Sequence, residues 1–232
     1  MSAGDNAGRP RVPRARFIVV EGLDGVGKST ASRLLAQALD AVHLSTPDDE
    51  LTAARALLEP LLDGHADART LWYAASVVRA SDRVRACLAA GDAVVVDRYF
   101  LSTLAYAELR GSRLRLGEVA ALLAIPDVTL YLRAPRATRA ERMRARRANS
   151  AEDARTLAAD ADDLLDAAFR RHRALPIAGR FVPVDTDGRS PDEVVSAVLA
   201  ELAQPAQPVA HARTLPAPPM VRVRRVLSGE RA

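Results

Sequence analysis

An α/β fold built around a mostly parallel central sheet is what this 232-residue sequence predicts. Three observations carry the expectation: short unbroken apolar runs, stretches of helical periodicity between them, and a glycine-rich turn that joins the first run to the first helix. Strands covered on both faces read as continuous apolar runs, and parallel strands need helical crossovers between them.

In chain order, Phe17-Ile18-Val19-Val20 is the first buried strand, and Ser29 to Leu39 places apolar residues at helical spacing. Residues 69–90 form a longer helix that stops at Gly91, a C-cap residue. Ala93-Val94-Val95-Val96 is a second strand ending at Asp97, and Val128 to Leu132, introduced by Pro126-Asp127, is a third. Phe181-Val182-Pro183-Val184 is a fourth, and Pro191-Asp192-Glu193 opens a last helix reaching about Ala203. Residues 1–15 are rich in Gly, Ala, Pro and Arg and read as a disordered arm without the apolar stretch of a secretory signal. Residues 204–232 read as a Pro-rich linker followed by a short basic tail. The folded domain is therefore expected over 16–203.

Composition bounds the function. Apolar residues make up 49% of the chain, enough for a full core, and no apolar run reaches membrane-spanning length. The one cysteine, Cys87, cannot pair within the chain, which agrees with a reducing cytoplasm, and its helical setting suggests a packed side chain. The net charge of +4 is dispersed and aromatics are only 4%, so no nucleic-acid partner is expected. More telling is that, of 33 basic residues, the only lysine is Lys28. Where arginine replaces lysine throughout, a surviving lysine marks a place that needs a compact ammonium and rejects a planar guanidinium.

Lys28 lies in Gly22-Leu23-Asp24-Gly25-Val26-Gly27-Lys28-Ser29, a full match to the G-x-x-x-x-G-K-[ST] phosphate loop, set between a strand and a helix. Glycines let successive N–H groups turn toward phosphate oxygens, and the helix N-terminus adds its positive end. Gly22 through Ser29, with Thr30 behind them, are thus expected to bind ATP. Lys28 would reach the β- and γ-phosphates and Ser29 would ligate Mg²⁺. The fold class narrows to a P-loop NTPase-like three-layer sandwich.

The residues flanking the loop carry a more specific likeness. Phe17 to Gly25 leads into it, Asp97-Arg98-Tyr99 follows the second strand, and then come Leu101 to Tyr106 and Pro126 to Leu132. This series resembles the thymidylate kinase family of nucleoside monophosphate kinases over roughly residues 16–202. The resemblance implies phosphoryl transfer from ATP to dTMP, and a homodimer. It implies a metal-shell role for Asp97 and an acceptor-phosphate clamp at Arg98. Asp24 and Glu21 would lie near the acceptor sugar or the metal's water, Trp72 would stack on the base, and Tyr106, with Ser102 on the same segment, would lie beside the sugar. It also implies a lid at about 136–152. No arginine occupies the loop at Gly25 or Val26, so Arg142, Arg144, Arg146 and Arg147 are the candidates to cover the transferring phosphate, with Arg142 and Arg146 favoured.

The acceptor half departs from the family pattern. Ser76 stands where the family has a base-reading arginine, and Arg79, about one turn later, is the nearest replacement. Ser45-Thr46-Pro47-Asp48 replaces an Arg-Glu-Pro-Gly-like segment; Ala107 and Arg133 replace a polar and an acidic residue. Two alternatives to dTMP phosphorylation stay open: transfer to another nucleotide or small phosphorylated metabolite, and a nucleotide-binding regulatory role. Under either enzymatic reading Lys28→Ala is expected to abolish transfer, and an ADP-coupled assay on the purified variant checks it.

Overall fold

In the computed structural model, which describes residues 16–146 and 156–204, the first apolar run becomes strand β1 (Phe17–Gly22), buried at every position. β1 is the middle of a five-stranded sheet ordered β2-β3-β1-β4-β5, with β2 at Val42–Ser45, β3 at Val94–Asp97, β4 at Val128–Arg133 and β5 at Arg180–Asp185. All four neighbouring pairs are parallel. The sheet thus has one more strand than the sequence suggests. Val42-His43-Leu44-Ser45 escapes notice because apolar and polar residues alternate along it instead of forming an unbroken apolar run; at the edge of the sheet three of its four residues are only half-buried.

Eight α-helices, α1 (Lys28–Leu39), α2 (Thr52–Leu61), α3 (Ala66–Ala90), α4 (Phe100–Leu109), α5 (Gly117–Ala121), α6 (Arg136–Ala145), α7 (Ala159–His172) and α8 (Pro191–Ala203), and two 3-10 helices, Asp49–Leu51 and Pro176–Ala178, accompany the sheet among the described residues. α1 packs with α8, while α4 packs with α3 and α7, and these groups form the helical layers over the sheet. α3 ends where expected, with the Gly91 N–H bonding back to the last carbonyls. The core is continuous from Phe17–Val20 through Val94–Val96 and Leu130 to Phe169, whose ring lies 5.0 Å from that of Tyr131. The expected arm, linker and tail, and lid residues 147–152, lie outside the described residues.

Because all strands run the same way, their carboxyl ends share one edge. Register sets Val20 and Ser45 opposite Asp97, Gly22 opposite Leu132, and Arg133 opposite Asp185. The segments leaving that edge are Leu23–Gly27, Thr46–Asp48, Arg98-Tyr99, Ala134-Pro135 and Thr186–Ser190, which gather the candidate residues at one end of the sheet.

The start of α8 is a complete capping box. Ser190 accepts the Glu193 N–H at 3.3 Å, and the Ser190 N–H donates to the Glu193 carboxylate at 2.7 Å. Ser190→Ala should lower unfolding free energy by about 1 kcal/mol, seen as a drop of about 2–4 °C in a thermal melt.

Candidate active site

The phosphate loop is shaped by what lies beneath it. Gly22 has φ +141°, and a Cβ there would sit 2.4 Å from the Leu132 carbonyl oxygen. Gly25, at φ +83°, would drive a Cβ to 2.7 Å from the Arg139 carbonyl oxygen. Both positions therefore require glycine, for backbone conformation and for space. Arg139 is buried under the loop, where it donates to the Asp24 carbonyl at 3.1 Å and pairs with Asp162 of α7. The loop itself contains no arginine; the fold brings one under it from α6.

Lys28 is buried at the start of α1 and donates to the Leu23 carbonyl at 2.7 Å, with its ammonium 3.6 Å from Asp24. Burial lowers its pKa to about 8, helped by Arg98 and opposed by Asp24, Asp97 and Glu21. The Asp24 carboxylate is a hub. It accepts from Arg98 on one oxygen, and on the other from the Tyr106 hydroxyl at 2.6 Å and the Thr156 hydroxyl at 3.3 Å. Burial works to raise its pKa, but Arg98, Lys28 and the donated hydrogen bonds overcome it and hold Asp24 anionic, well below the usual carboxylate range.

Arg98 is the only described residue besides Asp40 that is not glycine yet has positive φ, at 64°. The left-handed region costs an ordinary residue roughly 1–2 kcal/mol. Its backbone is fixed on both sides: the Arg98 N–H donates to the Val20 carbonyl at 3.0 Å, and its carbonyl accepts the Thr46 hydroxyl at 2.8 Å. Glu21 secures the following turn. Its fully buried carboxylate accepts the N–H groups of Tyr99 at 2.9 Å and Ser102 at 3.0 Å, and the Ser102 hydroxyl. Burial raises the Glu21 pKa against those bonds and against Arg98. Glu21 was expected near the acceptor sugar or the metal's water; its carboxylate is instead taken up by Tyr99 and Ser102 and anchors the start of α4.

Beyond Asp24 and Arg98 opens a cavity of about 360 Å³. α4 contributes Ser102, Thr103, Tyr106 and Arg110 to its wall, α3 contributes Tyr73, Ser76 and Val77, and Thr46, Pro47 and Arg55 close another side. Of the residues expected to meet the acceptor, Asp24, Ser76, Arg98, Ser102 and Tyr106 are here. Trp72 and Arg79 are not. Tyr73 takes the place expected for Trp72, since one residue turns a helix by a little over a quarter of a circle; the Tyr73 hydroxyl donates to Glu59 at 2.7 Å. Arg79 points to the outer face of α3, where it pairs with Asp48 at 2.9 Å and with Glu50. The Asp48 carboxylate also takes Arg83 at 3.0 Å, so this cluster ties the Thr46-Pro47 loop to α3.

Arg142 and Arg146 line a second cavity, of about 150 Å³, beside Val26, Gly27, Thr30 and Ala31, closed by Thr186, Arg189 and Pro191. Arg142 donates to the Thr186 hydroxyl at 3.0 Å and its carbonyl at 2.7 Å. Both arginines, expected over the transferring phosphate, thus stand on the outer flank of the loop. Arg147 is outside the described residues. Asp97 ends β3 almost fully buried, and its Oδ1 has no hydrogen-bond partner among the described residues; Ser29 is exposed at the head of α1.

Thr103, Arg110, Tyr73 and Val77, which the sequence does not single out, lie on the same helical faces as Ser102, Tyr106 and Ser76, which it does. Ser102, Thr103, Tyr106 and Arg110 share one helical face at i, i+1, i+4 and i+8, as do Tyr73, Ser76 and Val77 on α3. Nothing in the sequence singles out Arg139 among the arginines of α6, or Thr186 after β5.

The family model described as thymidylate kinase matches residues 20–170. A probable thymidylate kinase of Caldivirga maquilingensis is 36% identical over 137 residues, covering 55% of this chain and 67% of that protein. A thymidylate kinase of Synechococcus sp. strain WH7803 is 38% identical over 154 residues, covering 56% and 72%. Among solved structures, thymidylate kinase from Candida albicans superposes with a TM-score of 0.59 at 21% identity, over 82% of this chain and 91% of that one. That likeness establishes the fold.

The electrostatics of Lys28 set a pH dependence. The protonated ammonium is the form that binds phosphate, and in the nucleotide-free protein it is lost near pH 8. Affinity for ATP should be level below that pH and weaken above it, by up to about tenfold per unit. Calorimetric titration between pH 6.5 and 9.5 checks this; an unchanged dissociation constant at pH 9 would contradict it.

Proposed function

The chain belongs to the thymidylate kinase family, and we propose that it transfers the γ-phosphoryl group of ATP to the phosphate of dTMP, giving dTDP and ADP. One observation carries the reading: the phosphate loop and the 360 Å³ cavity meet at Asp24 and Arg98, so a donor on the loop and an acceptor in the cavity would bring their phosphates together there.

In this reading an oxygen of the acceptor phosphate attacks the γ-phosphorus, a new P–O bond forms, and the bond to the β-bridging oxygen breaks as ADP leaves. The attacking oxygen already carries negative charge, so no side chain need remove a proton. Catalysis then rests on position and charge. The loop N–H groups and Lys28 hold the β- and γ-phosphates, and Arg98 holds the acceptor phosphate. Asp24, anionic and bonded to Arg98 and Tyr106, orients both rather than acting as a base. The donor base would sit in the smaller cavity against Arg142, Arg146 and Thr186, and Tyr106 would face the acceptor sugar.

No group of three or more His, Cys, Asp or Glu able to hold a metal lies among the described residues, so a cation here would depend on phosphate oxygens and water for most of its ligands. The buried, unpartnered Asp97 Oδ1 and the exposed Ser29 hydroxyl fit that need. Ser29 and Asp97 would hold Mg²⁺, which when bound would supply positive charge beside the phosphates. A cytoplasmic homodimer completes the reading. Its support is the family and the exposed Leu57 and Leu61 of α2, at 73% and 70%, apolar surface that a partner would cover. Among the described residues no helix is long and apolar enough to cross a membrane.

A panel of deoxy- and ribonucleoside monophosphates with ATP and Mg²⁺ tests the activity: ADP should form with dTMP, and no stimulation by any monophosphate would overturn the proposal. Asp97→Asn should raise the Mg²⁺ concentration for half-maximal rate by about tenfold or more. An unchanged Mg²⁺ requirement would remove Asp97 from the metal shell.

A further inference from the structure

The far end of the larger cavity carries a cation that the phosphate chemistry does not use. Along α4, Ser102, Thr103, Tyr106 and Arg110 all line the cavity, and the eight residues from Ser102 to Arg110 advance about 12 Å along the helix axis. The near end lies beside Asp24 and Arg98, where the phosphates meet. The Arg98 guanidinium lies 5.6 Å from the Tyr106 ring centre and that of Arg110 5.4 Å from it, so a nucleoside monophosphate laid across Tyr106 with its phosphate at Arg98 brings its base to Arg110. There the Arg110 guanidinium lies 5.0 Å from the Tyr73 ring centre and 5.4 Å from that of Tyr106. Facing it, α3 offers the Tyr73 ring, the Ser76 hydroxyl and the apolar Val77, so no second cation from α3 enters this end.

We propose that Arg110 reads the acceptor base, donating to a ring carbonyl oxygen of a pyrimidine while Tyr73 supplies the surface on which the ring stacks. This rests on the function proposed above and names its specificity residue. A guanidinium has five donors and no acceptor. A thymine or uracil base offers it the C4 carbonyl. Cytosine offers an amino group at the same position, which sets donor against donor and leaves both without partners in a desolvated site. The aromatic rings beside Arg110 hold its plane, so little freedom is lost when the base arrives. The acceptors that fit are monophosphates of pyrimidines with a carbonyl at C4. Arg110 does here, from α4, what an arginine at position 76 would do from α3.

The test compares wild type, Arg110→Gln and Arg110→Lys on dTMP, dUMP and dCMP, with Arg113→Gln as control; Arg113 is exposed and pairs with Asp67 outside the cavity. Loss of the donor fork should raise the dTMP KM by about ten- to a hundredfold, lower kcat much less, and leave the ATP KM unchanged. The dTMP-over-dCMP preference should fall by the same factor. Lys, with a charge but no fork, should recover part of it. Thermal melts show whether each variant folds, and if Arg110→Gln does not, Arg110→Lys and guanidinium rescue of Arg110→Ala read the same preference. An unchanged dTMP KM and preference in a folded variant would overturn the proposal, as would a loss of kcat equal for all acceptors. Failure of wild type on every monophosphate would instead sink the functional reading itself.

Discussion

The site is organised around one carboxylate. Asp24 sits where the phosphate loop, Arg98 and Tyr106 converge, and its two oxygens take up the guanidinium, the phenol and the Thr156 hydroxyl, with Lys28 3.6 Å away. Two cations so close would repel each other across an empty loop; the anion between them keeps both charged side chains folded inward before any nucleotide arrives. Burying charges is costly unless each finds a partner. Here Asp24, with Asp97 and Glu21 nearby, supplies those partners to Lys28 and Arg98.

A second layer fixes that arrangement. Arg98 is held in a left-handed backbone conformation by hydrogen bonds to Val20 and from Thr46, and the turn after it is locked by Glu21. Glu21 comes from the central strand, one residue before the loop begins. A single strand therefore positions both halves of the site: the loop by continuation, and α4 through a buried carboxylate. Strain at Arg98 persists because several independent contacts determine it. Beneath the loop, Arg139 does comparable work from another direction, joining the Asp24 carbonyl to Asp162 and filling the space that Gly25 leaves.

The donor side of this site was readable in the chain because its chemistry is local. Gly22 to Ser29 is contiguous, and Lys28 stands out as the one lysine among 33 basic residues. The buried strands were readable for a similar reason, since Phe17–Val20 and Val94–Val96 are covered on both faces and carry unbroken apolar runs. The edge strand Val42–Ser45 was not, because only Leu44 is fully buried and His43 and Ser45 interrupt the apolar run. On the acceptor side the errors were angular. Trp72 and Tyr73 differ by one step in sequence and by about 100° around α3, enough to exchange a cavity wall for a neighbouring face.

The sequence by itself determined the phosphate loop, the parallel α/β order and the residues Asp97 and Arg98 at the end of a central strand, since each depends on near neighbours in the chain. Only the tertiary structure decided which side chains the acceptor would meet. Arg79 is drawn outward by Asp48 and Glu50, Glu21 is turned inward to hold α4, and Arg142 and Arg146 are carried to the loop's outer flank. Arg110 enters a cavity shared with residues 33 to 37 positions earlier on α3. Those outcomes depend on how helices from distant segments rotate as they pack, and the rotation is set by contacts that sequence order does not record.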